Sequence, residues 1–107
     1  MAFKIKTNDT SPSLLSSLQD GDGNAVDISS AAVRFHMTPL GGTTPKIDAA
    51  AILVDGPTGA VRYDWAAGDT DTEGAFVAEF EVTYASGAIE TFPNSEQLRI
   101  DVVADLA

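Results

Sequence analysis

Cysteine is absent from the 107 residues. Its absence excludes disulfides, thiolate zinc sites and a cysteine nucleophile, and fits folding in a reducing compartment. Basic residues are few: six Lys and Arg stand against 16 Asp and Glu, a formal charge of −10. A nucleic-acid binder must neutralise phosphates with cations, so no nucleic acid is expected as a partner, and an anionic membrane would repel the chain. Long apolar runs are also missing. The longest, Ala49 to Val54, is far short of a bilayer span, and the opening MAFKIKTNDTSP places no apolar stretch after Lys4 and Lys6 to make a secretion signal. No G-x-S-x-G elbow presents a serine, and GGTTPK holds Lys46 without the spacing of a phosphate-binding loop.

What is present is alternation with period two, the signature of strands with one wet face. Val33, Phe35 and Met37 alternate with Arg34, His36 and Thr38. Val61, Tyr63 and Trp65 alternate with Arg62 and Asp64. In GDTDTEGAFVAEFEVTY, residues 68–84, Phe76, Ala78, Phe80, Val82 and Tyr84 share one face. Leu98, Ile100, Val102 and Ala104 face inward while Arg99, Asp101 and Asp105 face outward. KIDAAAILVD reads as one further strand, because Ile52, Leu53 and Val54 favour β structure and Asp55-Gly56-Pro57 ends it; its alanine run leaves a short helix as the alternative. The turn clusters DGDGN, PLGGTTP, DGPTG, AGDTDTEG, ASG and FPNSEQ separate these runs. The expected fold is all-β: one domain over 1–107, an immunoglobulin-like antiparallel sandwich of about seven or eight strands, with a small barrel as the alternative.

Two acidic clusters invite a calcium reading. Asp69, Asp71 and Glu73 are spaced by two and would share a side of an extended segment, yet Gly68 and Gly74 around them also make an ordinary connecting turn, which is the preferred reading. Asp20, Asp22 and Asn24 begin a calcium loop, but position six is Ala25 instead of Gly and position twelve is Ala31 instead of Glu. DGDGN therefore reads as a hairpin turn between LLSSLQ and AVDIS. His36, the single histidine, lies on an outward face and reads as a surface residue. Trp65, Tyr63 and Tyr84 read as core, which leaves Phe92 as the main aromatic for a sugar-stacking platform. No catalytic, cofactor-binding or metal-ligating residue is assigned, and no cofactor is expected.

Several pieces occur in a recognisable order: D-T-S-P at 9–12, D-x-x-G-N-x-V-D-I at 20–28, V-x-F-x-M at 33–37, G-x-V-x-Y-x-W at 59–65, G-D-T-D-x-x-G at 68–74 and T-F-P at 91–93. Together they span nearly the whole chain, which resembles the N-terminal domain of phage baseplate upper proteins. The resemblance implies a β-sandwich module of a tailed-phage virion that docks, decorates or connects subunits of baseplate, tail or capsid, without catalysis. It implies other phage structural proteins as partners and multiple copies in a symmetric assembly. It also implies that G-D-T-D-x-x-G is a turn after the Trp strand, with Asp69 and Thr70 bonded within it. Members of that family continue into a coiled-coil or receptor-binding region, whereas this sequence stops at VVADLA, so a connecting role is expected rather than receptor binding. Residues 1–8 are expected to form an N-terminal arm, and FKIKT and IETF to be sheet edges open to a neighbour. The alternatives are a carbohydrate-binding or adhesion module and, last, a small hydrolase using exposed carboxylates.

Overall fold

A computed structural model describes residues 2–94 and 97–106. Met1 of the expected arm and Ser95 and Glu96 of FPNSEQ lie outside the described residues. The strands are β1 (Ala2–Lys6), β2 (Leu14–Ser17), β3 (Ala32–Pro39), β4 (Ile47–Ala50), β5 (Ile52–Asp55), β6 (Ala60–Tyr63), β7 (Gly74–Thr83), β8 (Ile89–Phe92) and β9 (Leu98–Val103). They form two sheets. One runs β1-β9-β7-β3-β4, with β8 also on β7; the other runs β2-β6-β5. The two sheets pack face to face, with Tyr63 of β6 stacked on Phe35 of β3, as an open sandwich rather than a closed barrel.

Nine strands are described, more than expected, and one run expected as a single strand is cut in two. KIDAAAILVD is extended throughout but changes sheet at Ala51: Ile47–Ala50 pairs with β3, and Ile52–Asp55 pairs with β6. Ala51 still donates its N–H to the Val33 carbonyl at 2.9 Å, so the crossing loses no backbone bond there. β8 ends at Phe92, ahead of Pro93, where the FPNSEQ turn is expected. The long β7 receives β8 and β9 along one edge, β8 opposite Phe80–Thr83 and β9 opposite Gly74–Ala78. Proline has no N–H to give a ladder, which suits a break at that point. The antiparallel expectation holds for every pairing except one: β1 runs parallel to β9, from Ala2 opposite Arg99 to Lys6 opposite Val103. That strand occupies the segment expected to be an arm. Its Ile5 is buried, so the segment is part of this chain's own sheet and core.

The core lies where the alternation places it. Val33, Phe35, Met37, Val61, Tyr63, Trp65, Phe76, Ala78, Phe80, Val82, Ile100 and Val102 are all buried. Ala104 is not: the strand ends at Val103, and Ala104 is exposed. Phe35 is the hub. Its ring is stacked on Tyr63 at 4.3 Å, meets Trp65 edge-on at 5.8 Å and tilts against Phe80 at 5.2 Å. Phe35 and Phe80 are opposite one another on β3 and β7, and Phe80 is opposite Phe92 on β8, so a row of three phenyl rings crosses the large sheet. Tyr63 and Trp65 come from the other sheet and its continuation. Aromatic pairs in such geometries add about 0.5–1.5 kcal/mol beyond their buried area.

Gly59 marks the tightest backbone approach. Its φ is +70°, and a Cβ there would lie 2.7 Å from the Leu18 carbonyl oxygen and 2.8 Å from that of Val26. Those neighbours are backbone and cannot swing away. Gly59→Ala is expected to lower stability by about 1–3 kcal/mol or more, through strain and displaced backbone. Trp65→Ala is expected to cost about 3–5 kcal/mol, as for other large core aromatics. Urea melts of both variants, with Trp65 emission reporting burial in the parent, check these values. A silent Trp65→Ala would show that the inward face is misassigned.

Candidate functional site: the turn between β6 and β7

Burying Tyr63 and Trp65 leaves a phenol and an indole N–H that need partners. Both find them in the conspicuous sequence motifs. The Tyr63 hydroxyl donates to Asp69 Oδ2 at 2.5 Å, and the same oxygen accepts the Ala66 N–H at 2.8 Å. Trp65 Nε1 donates to the Pro12 carbonyl at 3.1 Å. Thr70, buried at 1 % exposure, donates its hydroxyl to the Asp9 carbonyl at 2.8 Å, and the Thr70 carbonyl accepts the Asn8 N–H at 2.9 Å. Ser13 donates to Asp64 Oδ1 at 2.6 Å. G-D-T-D and D-T-S-P are thus two halves of one lock. Asp69 bonds within its own turn, accepting the Ala66 N–H, as acidic turn residues do. Thr70 instead reaches across 61 positions to the N-terminal segment.

The three acidic residues of this turn do not converge. Asp69 points inward to Tyr63. Asp71 pairs with Lys46 at 2.8 Å and accepts the Thr72 hydroxyl. Glu73 is exposed. Among the described residues, no group of three His, Cys, Asp or Glu side chains is placed to hold a metal ion. DGDGN is a turn with its carboxylate engaged: Asp20 Oδ1 accepts the N–H of Asp22 at 2.9 Å and of Asn24 at 3.0 Å. The expected hairpin is reduced to one bridge, Gln19 to Ala25: AVDIS forms no strand, and β2 takes β6 as its partner instead. His36 is half-buried rather than freely exposed, with Nε2 3.2 Å from Asp48 Oδ1, an oxygen it shares with Arg34 at 2.9 Å. Phe92 is buried at 1 % exposure and is removed as a wet-face aromatic. The inward phase of TFP had already been set by Phe80, its cross-strand partner, but that register is invisible until β8 is paired.

Electrostatics follow the same partners. The Arg34 guanidinium beside Asp48 holds its carboxyl below the ordinary 3.8, and Lys46 does the same for Asp71. The Ser13 hydroxyl, then Arg62, lower Asp64; the Ser29 hydroxyl and N–H lower Asp27. These carboxylates favour the folded state at neutral pH, and that contribution is lost as pH falls through their lowered folded values. Burial and then the Asp69 carboxylate push Tyr63 well above 10.0, while burial and then Glu90 push Tyr84 up to about 12.

A scan of protein-family models and a search of curated proteins each find no match to this chain.

The chain holds two tyrosines, so phenolate absorbance reads these two groups alone. Both are expected to ionise above 10, and the stability they carry is whole below pH 10 and lost as pH rises through the folded values. Asp69→Asn should lower the Tyr63 value while burial keeps it above 10. Titration of Tyr63 at 10 in the folded parent would break the Tyr63–Asp69 assignment. Because Asp69, Asp71 and Asp20 are already engaged, melting temperatures in millimolar calcium and in excess chelator are expected to agree. A rise of several degrees in calcium would mark a site, since ligand bound to the native state alone stabilises it by mass action.

Proposed function

We propose that this chain is a structural subunit of a tailed-phage particle, a sandwich module that holds neighbouring subunits through strand edges and loops. The observation that carries the reading is how the motifs are used. Tyr63, Trp65 and Thr70 donate to Asp69, Pro12 and Asp9 respectively, rather than toward a shared cleft. That is the behaviour of a scaffold signature, in keeping with the structural role that the resemblance to baseplate upper proteins implies. A role without catalysis is favoured for the same reason: the carboxylates of the motifs serve amides, a phenol and a lysine. The carbohydrate-binding alternative loses support with Phe92 in the core and Phe35, Tyr63, Trp65, Phe76 and Phe80 beside it.

Free sheet edges supply the contact surface. β1 and β4 end the large sheet, β8 pairs on one side with β7, and β2 and β5 end the small one. Exposed strand edges pair readily with another chain. The net charge of −10 keeps free subunits apart and favours docking on less acidic surfaces. Mass spectrometry and electron microscopy of purified particles, produced from the genome that encodes the chain, test the reading. The chain is expected at fixed stoichiometry with its sandwich visible in the density. Its absence from purified particles, or specific sugar binding by the free protein, would overturn the proposal.

A further inference from the structure

The six cations are not distributed evenly in their use. Arg34, Lys46, Arg62 and Arg99 each pair with an aspartate at 2.8–2.9 Å. The other two, Lys4 and Lys6, have no carboxylate partner among the described residues; Lys6 reaches the Ala104 carbonyl at 3.5 Å. In a chain with 16 acidic residues, the two cations with no carboxylate partner among the described residues therefore stand together on one strand, spaced by two and on one face. That strand is β1, the terminal strand of the large sheet.

Backbone geometry points the same way. Thr7 donates its N–H to the Val103 carbonyl at 2.9 Å, continuing the parallel ladder with β9. In such a ladder alternate residues face the partner, so the backbone groups of Lys4 face away from β9, toward the open edge. Beside that edge runs an open trough of ≈ 410 Å³ lined by Lys4, Lys6, Asp9, Ser11, Pro12 and Val103. Pro12 and the rest of its loop are fixed by Trp65 and Thr70, so the trough has a rigid far wall.

We propose that the outer edge of β1 accepts an extended acidic segment of a different protein, added as a further strand with carboxylates at alternate positions against Lys4 and Lys6. The inference rests on the reading of the chain as an assembly subunit and names the chemistry of one partner. A second copy pairing β1 to β1 is disfavoured, because lysines would meet lysines. The edge strands β2, β4, β5 and β8 of a second copy do not present two carboxylates at such spacing either: their sequences are LLSS, IDAA, ILVD and IETF. Lysines on an edge thus discourage self-pairing and select an opposite charge.

The test uses the whole chain and two synthetic peptides, TEVEVET and its cationic counterpart TKVKVKT, with backbone amide shifts and hydrogen exchange as readouts at low salt. TEVEVET is expected to shift amides of Ala2–Lys6, to protect the Lys4 amide from exchange and to weaken with added salt. The double variant Lys4→Glu, Lys6→Glu, shown folded by its Trp65 emission, should lose at least about tenfold in affinity for TEVEVET and gain it for TKVKVKT. Absence of binding, binding that leaves the Lys4 amide unprotected, or an affinity unmoved by the charge reversal would each overturn the inference. The particle measurement separates the two readings. A chain present in particles but indifferent to TEVEVET loses this edge and keeps its structural role; a chain that binds the peptide but is absent from particles does the reverse.

Discussion

Two amphipathic rings, Tyr63 and Trp65, are buried between the sheets, and each brings a polar tip that needs a partner. Most of the architecture follows from meeting that need. The phenol takes the carboxylate of Asp69, which fixes the turn after β6. The indole takes the Pro12 carbonyl, which draws in the segment ahead of β2. Thr70 then holds Asn8 and Asp9, and with that segment anchored at both ends the chain before it lies along β9 as β1. An unsatisfied buried donor costs about 1–3 kcal/mol, so these bonds matter more for what their loss would expose than for their net contribution.

The same constraint explains why the acidic turn is not an acidic site. One oxygen of the Asp69 carboxylate already accepts from a phenol and an amide, and its neighbour Asp71 is paired with Lys46. Among the cations of the described residues, only the two lysines of β1 lack a carboxylate partner, on a chain that is otherwise strongly acidic. The interior and the motifs are committed to holding the two sheets together, which is why the proposed contact is placed on an edge.

Much of this was legible in the sequence. Alternation placed Phe35, Tyr63, Trp65, Phe80 and Ile100 in the core, since the period of a strand fixes its faces. The failed spacing of DGDGN gave its turn. Other features were not legible, for identifiable reasons. The break at Ala51 leaves an unbroken apolar run, because both halves remain extended and only their partners change. The burial of Phe92 depends on pairing with Phe80, a long-range fact. Period two cannot distinguish a free arm from an edge strand, so FKIKT read as both, and only the register with β9 decides. Lys4 and Lys6 were visible, but their lack of carboxylate partners among the described residues could be seen only once the other four cations had found theirs.

The central claim is that D-T-S-P and G-D-T-D form one cooperative lock around the buried aromatics. A double-mutant cycle with Trp65→Phe, which keeps most of the ring and loses the N–H, and Thr70→Val, which keeps the shape and loses the hydroxyl, tests it by urea denaturation. Releasing segment 8–12 at one end should weaken its hold at the other, so the two losses should fall short of additive by at least about 0.5 kcal/mol. Strict additivity would mean that Trp65–Pro12 and Thr70–Asp9 are independent contacts, and would contradict the account.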